Sequence, residues 1–324
     1  MSHPGLLKTL NECEYPAEFL VARLLGKKGA LFRNWEFLIT SNDPVESLQN
    51  TPFYIFLKKD AAPDIWRFLR HEYLWVYKRM NNKLRNQFEP YFVYHEINPL
   101  LVCLRYLSCK KEINHIAQAL HNSLLHNDIQ DILTSSLDFV SILQALESRL
   151  CTSSVSFNGL RENYAKGGFA ALEVFIRDCF FASLLSRKQP FMVKDFLQYM
   201  VDFHNCISMA KTLRWQIEAE PTLTSGGTVP LDRFNDAYFH KDLTPVLKYL
   251  HLKDADDAVS TIQKLETALL RFISRKLQSR FLQRTVVGDI LYYLWEQYRY
   301  TRNISLVLNT MLLDDEPVRE SIVA

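Results

Sequence analysis

Apolar residues recur at three- and four-residue spacings along most of the chain, a pattern typical of amphipathic helices. In residues 62–80, for example, Ile65, Phe68 and Val76 fall on one face of a helix, while arginines and lysines fall on the other. The same spacing predicts further helices at residues 91–108, 111–124, 137–151, 169–187, 192–219, 257–284 and 287–313. The pattern therefore predicts an all-α protein built largely from long helices.

The composition supports this helical interpretation. The chain has only 9 glycines and 12 prolines in 324 residues, whereas sandwiches, propellers and multi-hairpin barrels need many turn residues. With 48% hydrophobic residues it can bury a sizeable core. Strand-like alternation is confined to residues 51–57. That stretch is equally compatible with the start of a helix, with Thr51 as the N-cap and Pro52 at the first helical position.

The charge balance and the N-terminal sequence exclude several classes of protein. Lys plus Arg is 38 and Asp plus Glu is 36, a net charge of +2 that is too balanced for a dedicated nucleic-acid-binding domain. No apolar run approaches the roughly 18 residues needed to cross a bilayer. The first residues also lack the features of an export signal. We expect a cytoplasmic, soluble protein that reaches a membrane only through a partner.

The sequence contains no recognisable catalytic or metal-binding motif. It has no CxxC pair, no HExxH, no GxSxG elbow and no Gly-rich dinucleotide fingerprint. His115, His121 and His126 lie in one region. The last two are five residues apart, however, which is a poor spacing for two ligands on one helix face. We expect no catalytic residues, no cofactor and no metal.

Three segments of the chain resemble one another. Each has an aromatic-rich stretch, then an asparagine (Asn98, Asn205 or Asn303), then an aliphatic stretch, and the asparagines are spaced about 100 residues apart. This period is too long for a solenoid repeat and predicts three copies of a small helical domain. Because asparagine is a poor helix former, its recurrence also predicts a polar contact shared by the copies. The alternative is chance similarity among aromatic-rich amphipathic helices.

We place the three domains at residues 1–125, 126–225 and 226–324, and part of the C-terminal helices could also pack on the first. Residues 220–230, which contain Gly226 and Gly227, are the most turn-rich stretch of the chain. Glycine permits backbone angles that other residues avoid, so we expect a tight turn there. The Lys-Ser/Thr of a phosphate-binding loop is missing after these glycines.

Several short motifs follow one another in order along the chain. They are Tyr15 with Ala22-Arg23, Leu48 with Thr51 and Tyr54, Asp202 with Asn205 and Arg214, Ser225-Gly226-Gly227, and Tyr293-Leu294 with Asn303-Ile304. No single motif is specific. Their ordered series over nearly the whole chain resembles the central-axis rotor component of the V/A-type ATPases, known as the C-type subunit in archaeal and bacterial complexes and as the d-type subunit in eukaryotic ones.

The match is less regular in the first and third copies. Glu96 is only two residues before Asn98, whereas Asp202 is three residues before its asparagine. In the third copy, Tyr300 stands where the family has an acidic residue, and Ser305 stands where it has an arginine.

The resemblance implies three similar helical lobes in a pseudo-threefold arrangement, forming a funnel with a central cavity. It further implies a non-catalytic adaptor on the cytoplasmic face of the membrane. Such an adaptor links the ring of proteolipid subunits to central-stalk subunits of the D and F type. It transmits torque for ATP-coupled transport of H⁺ or Na⁺, has no nucleic-acid partner and meets the membrane only through the ring.

A row of basic residues marks a candidate partner interface. Residues 271–284 carry positive charges at four-residue spacings, at Arg271, Arg275, Lys276, Arg280 and Arg284. Leu277 and Phe281 interleave with these charges, so we do not expect this helix to bury one clean apolar face. The row is predicted to face the stalk foot or the ring loops, because charged patches give docking specificity. The alternative is a solvated face with extended basic side chains.

The sequence is also compatible with two other functions. An all-helical scaffold or regulatory module that binds a partner protein has the same composition and helix pattern, with no tie to a rotary motor. A helical enzyme with a pocket between its helices is the third possibility.

Overall fold

A computed structural model describes residues 5–9, 14–29, 31, 34–58, 65–109, 113–150, 157–218, 220–252, 255–309 and 315–323. Within these ranges the only strand-type pairing is an isolated antiparallel bridge between Leu7 and Leu125. The predicted all-α class is therefore confirmed. None of the described helices has both the length and the apolar character needed to cross a membrane.

The helices are α1 (Ala17–Lys28), α2 (Trp35–Ile39), α3 (Pro44–Ser47), α4 (Tyr54–Lys58), α5 (Ile65–Arg79), α6 (Asn82–Ser108), α7 (Ile113–Leu120), α8 (Asn127–Leu133), α9 (Phe139–Leu150), α10 (Leu160–Ser186), α11 (Phe191–Arg214), α12 (Leu231–His240), α13 (Thr244–Tyr249), α14 (Ala255–Ala258), α15 (Ile262–Phe281), α16 (Val286–Asn309) and α17 (Asp315–Ser321).

The chain forms two compact units, each assembled from separate segments. Unit one comprises Met1–Cys13, Arg85–Val201 and Thr222–Thr228, and unit two comprises Glu14–Leu84, Asp202–Pro221 and Val229–Ala324. The division into three domains at residues 125 and 225 follows sequence repeats, and it stays a prediction.

In unit one, α9 packs against both α8 and α10. Helix α10 is interrupted at Gly167 and Gly168, where Gly168 has a φ of 63°. Glycine adopts this left-handed conformation without a steric penalty. The break falls directly before residue 169, the predicted start of the helix at residues 169–187.

Unit two is organised around α16. This helix packs against α1, α3, α5 and α15. Its buried residues lie on several sides, and Trp295 is 1% exposed. A helix that is apolar on several sides needs neighbours on each of them. The dense aromatic sequence of residues 291–300 is therefore accounted for by burial.

A buried carboxylate joins three helices of unit two. Glu72 of α5 is 3% exposed, and its two oxygens accept hydrogen bonds of 2.6 and 2.7 Å from the Lys27 ammonium of α1. The Tyr293 hydroxyl of α16 donates a 2.7 Å hydrogen bond to the same carboxylate. Burial and the negative charge of Glu72 raise the pKa of Tyr293, so this phenol stays protonated and acts as a donor.

Several predicted boundaries differ from those observed. The stretch at residues 51–57 gives helix α4, which begins at Tyr54, and the Thr51 hydroxyl donates to the Leu48 carbonyl at 2.7 Å. Helix α6 begins at Asn82, earlier than predicted, and contains both Pro90 and Pro99. The predicted helix at 257–284 is divided into α14 and α15.

Aromatic rings in the core of unit one pack around His95 of α6, a half-buried residue whose Nε2 atom is fully buried. The imidazole centroid lies 4.6 Å from the ring centroid of Tyr91, 5.0 Å from that of Tyr94 and 6.3 Å from that of Phe196. Burial among these rings disfavours the imidazolium and lowers the pKa of His95 to about 3.

His95 should make the protein less stable in mild acid. Below its ordinary pKa of 6.5 the histidine of the unfolded chain takes up a proton, whereas the folded chain resists protonation until pH approaches 3. Between pH 7.5 and 4.5 this difference should remove about 2 to 3 kcal/mol of stability. Denaturant titrations at both pH values should show this loss shrinking in His95→Gln and persisting in His240→Gln, whose histidine is exposed. Equal losses in both variants would contradict the prediction.

Candidate partner-binding site

Helix α15 carries the predicted basic row and buries a regular apolar face. Leu265, Leu269, Ile273 and Leu277 follow one another at four-residue spacing and are each no more than 3% exposed. The expectation that this helix has no clean apolar face is therefore wrong. Lys276 lies just outside this face, so Leu277 is covered while its neighbour reaches solvent.

Arg271, the first member of the row, is engaged within unit two. Its Nη2 donates hydrogen bonds to the carbonyl oxygens of Glu320 and Ile322, at 2.9 and 2.8 Å, at the end of α17. Burial, and then the positive charges of Arg302 and Arg275, lower the pKa of this guanidinium. Arg271 therefore fixes the C-terminal segment to α15 and lies in a region rich in positive charge.

The remaining members of the row differ in exposure and contacts. Arg275 and Lys276 are both exposed. The Lys276 ammonium lies 5.4 Å from the ring centroid of Phe272. The side chain of Arg280 lies outside the described part of the chain. Arg284 is exposed, follows the helix with a φ of 52°, and places its guanidinium 5.0 Å from the Phe281 ring centroid.

A groove of about 680 Å³ lies beside α15 in unit two. Arg271 and Arg275 line it, whereas Lys276 and Arg284 are not among its lining residues. Of the four predicted positions whose side chains are described, only Arg271 and Arg275 therefore face the groove. The other lining residues are not predicted from the sequence, and they include Thr267 of α15 and Arg299 of α16. Four-residue spacing from Arg271 back to Thr267 is the one sequence signal that could have indicated the first of them.

The asparagines of the predicted repeat lie in different environments. Asn303 is 1% exposed, and its side chain both donates to the Val323 carbonyl at 3.0 Å and accepts from the Val323 N–H at 3.2 Å. Asn205 is buried at 2% exposure. Asn98 is exposed, so it does not make the buried contact found at Asn303.

In the first copy, the buried contact is made by Glu96. Its carboxylate, 6% exposed, accepts the Leu124 N–H at 2.9 Å and the Ser123 hydroxyl. The corresponding residue of the second copy is Asp202, 1% exposed, which accepts the Val229 N–H at 3.1 Å.

These contacts share one arrangement, which we call the helix–loop hydrogen bond. A buried side chain in the interior of a long helix accepts the main-chain N–H of an apolar residue 28, 27 or 20 positions later. The three pairs are Glu96–Leu124 on α6, Asp202–Val229 on α11 and Asn303–Val323 on α16. Because a buried N–H without an acceptor is costly, each acceptor fixes its loop against its helix.

The glycines of the predicted turn lie between α11 and α12. Gly226 has a φ of 97°, and a Cβ at this position would meet Leu185 Cδ1 of unit one. Gly227 follows it in the same non-helical segment. In unit one, the Thr224 hydroxyl donates to Asp178 at 2.7 Å, which anchors the start of this turn. Glycine is therefore favoured at position 226 by its backbone angle, whereas the flexible end of the Leu185 side chain can move aside.

Comparison with known proteins does not identify a family. No family model matches the chain, and no curated protein shows a significant match to it. In the described part of the chain, no group of three or more His, Cys, Asp or Glu side chains could hold a metal ion.

Proposed function

We propose that this protein is a non-catalytic central-stalk adaptor of a V/A-type rotary ATPase, which joins the membrane proteolipid ring to the central stalk. The observation that carries the proposal is the helix–loop hydrogen bond, which recurs at intervals of about 100 residues on three long helices. The acceptor lies two residues before the asparagine in the first copy, three before it in the second, and is the asparagine itself in the third. The recurrence of this kind of contact at similar intervals supports three related helical domains. Three related domains suit a body that sits on a ring of identical subunits.

The helices themselves suit the transmission of torque. Helices α6, α11 and α16 contain 27, 24 and 24 residues. Each is fixed at an interior residue to a distant segment by a buried hydrogen bond, which limits local opening of the structure. The proposed funnel, its central cavity and the location at the cytoplasmic face of the membrane are parts of the same proposal.

The exposed basic residues supply a docking surface in this proposal. Arg275, Lys276 and Arg284 project from the end of α15 and the turn after it. Attraction to acidic groups on the stalk foot or ring loops would steer assembly and set its specificity. The positive charge of Arg271 contributes less, because its guanidinium is hydrogen-bonded to the carbonyl oxygens of Glu320 and Ile322.

Charge reversal should separate docking from folding. We expect Arg275→Glu/Lys276→Glu/Arg284→Glu to weaken binding to the purified proteolipid ring or to the D–F stalk subunits by roughly tenfold or more. Because all three residues are exposed, the thermal midpoint should stay nearly unchanged. Surface-immobilised chain with each purified partner gives the affinities.

The matched control reverses three exposed lysines elsewhere, Lys188→Glu/Lys194→Glu/Lys211→Glu. It makes the same change in net charge and should bind like the unmodified chain. Equal affinities of all variants for both partners would remove the basic surface from the proposal. Failure of the unmodified chain to bind either partner would overturn the proposed function itself and favour a scaffold with another partner.

A further inference from the structure

The groove beside α15 is lined by more basic than acidic side chains. Arg271, Arg275 and Arg299 line it together with Lys264, against two carboxylates, Asp257 and Glu320. Lys264 is already placed between these two acids, at 3.0 Å from Asp257 and 3.9 Å from Glu320. Lys264 offsets one of the two carboxylate charges, so three arginines face the one negative charge that remains.

Two of these arginines have donors that no described residue uses. The Arg275 side chain is exposed and makes no hydrogen bond or ion pair with a described residue, which leaves its five N–H groups available. Arg271 uses only its Nη2 group, for the carbonyls of Glu320 and Ile322. The N–H groups on its Nη1 and Nε have no acceptor among the described residues.

Two buried hydrogen-bond donors also indicate that the groove holds an acceptor. The Thr267 hydroxyl lies on the groove wall, its residue is 3% exposed, and it has no hydrogen-bond partner within the described ranges. Nε of Arg299 is likewise buried without a described partner, although Nη1 of the same residue lies 3.2 Å from Glu296. A buried donor without an acceptor is costly, and an acceptor held in the groove would remove that cost.

Mutual repulsion among the arginines is further evidence of uncompensated positive charge. Burial lowers the pKa of Arg271 most, and the charges of Arg302 and Arg275 lower it further, each by more than the charge of Glu320 raises it. Arg302 itself is paired with Glu266 at 3.1 Å, so the excess charge lies at Arg271 and Arg275. A bound anion would relieve this repulsion.

We propose that the groove formed by Arg271, Arg275, Arg299 and Thr267 binds a phosphate-bearing small molecule. Guanidinium groups match phosphate oxygens in geometry and charge, and several donors on different walls suit a tetrahedral group better than a planar carboxylate. The volume of about 680 Å³ is within the range of small-molecule sites and exceeds what one phosphate needs. The inference stands whether or not the protein belongs to a rotary ATPase.

Calorimetric titration of the full chain at physiological ionic strength tests the proposal. The probes are tripolyphosphate, ATP, and phosphatidylcholine vesicles with and without a phosphatidylinositol phosphate. We expect saturable binding of at least one phosphate probe, with one site per chain. Binding of tripolyphosphate or ATP indicates a soluble ligand, and binding confined to the phosphoinositide vesicles indicates a lipid headgroup. Both results support a phosphate site.

Adjacent residues of α15 supply the matched variants. Arg275→Gln should weaken binding by roughly tenfold because it removes the guanidinium in the groove. Lys276→Gln makes the same change in net charge one residue away and should change affinity less than about twofold. Arg275→Lys keeps the charge but loses the planar fork, so it should give an intermediate value.

Thr267→Val distinguishes a specific phosphate site from general electrostatic attraction to the basic residues. Valine nearly preserves the volume of threonine and removes only the buried hydroxyl, so weaker binding would show that this donor contacts the ligand. Three results would overturn the proposal: no phosphate probe binds, Arg275→Gln and Lys276→Gln weaken binding equally, or polyglutamate binds more tightly than every phosphate probe. The last result would identify an acidic peptide as the occupant.

Discussion

Glu96→Ala should lower the free energy of unfolding by roughly 3 kcal/mol. The substitution removes the acceptor of the Leu124 N–H and of the Ser123 hydroxyl, both of which are buried. It also leaves a cavity in the core of unit one. Chemical denaturation monitored by circular dichroism measures the change.

The sequence supplies a matched control for this prediction. Asn98→Ala lies on the same helix two residues later and removes an exposed side chain, so it should change stability by less than about 0.5 kcal/mol. Asp202→Ala and Asn303→Ala remove the acceptors of the other two helix–loop hydrogen bonds and should each be clearly destabilising. If the three buried positions behaved like Asn98, the helix–loop hydrogen bonds would not be a shared structural element.

Glu72→Ala should also cost roughly 3 kcal/mol of stability, at the lower end of what breaking a buried ion pair costs. The Tyr293 hydroxyl is buried and would lose its acceptor. Lys27, at 38% side-chain exposure, can turn its ammonium toward solvent, which keeps the loss moderate. Thermal and denaturant unfolding both report the change.

Glu72→Gln separates the hydrogen bond from the charge. The amide oxygen can still accept from Tyr293, while the ion pair with Lys27 is lost, so we expect about half of the alanine effect. A glutamine variant as unstable as the alanine variant would show that charge, and not the hydrogen bond to Tyr293, dominates at this position.

The sequence predicts the helices well because their apolar spacing is set by burial on one side. Helix boundaries are harder to predict where one part of a helix has a single apolar face and another part is buried all round. Helix α6 illustrates this, since it continues through Pro90 and Pro99.

The sequence predicts the helix–loop hydrogen bonds only in part. Asn303 was identified correctly as a residue with a buried polar contact, but in the first copy that contact is made by Glu96 and not by Asn98. A shift of two residues on a helix moves a side chain to another face, and only the packed structure shows which face is buried.

The groove could not be predicted from sequence. Its walls come from α14, α15, α16 and α17, and Arg299 on α16 resembles any other basic residue of an amphipathic helix. Nothing in the linear order brings Arg299 to Arg275. The donor excess becomes visible only when the partners of each charged group are known.

The most direct test of the proposed function is the position of the protein in native membranes. A tagged copy expressed in its own cells, purified in mild detergent and imaged by electron microscopy, should bring with it the A, B, D and proteolipid subunits of a V/A-type ATPase. Its density should lie between the proteolipid ring and the central stalk. Purification without any rotary-ATPase subunit, or density at any other position in the complex, would contradict the account.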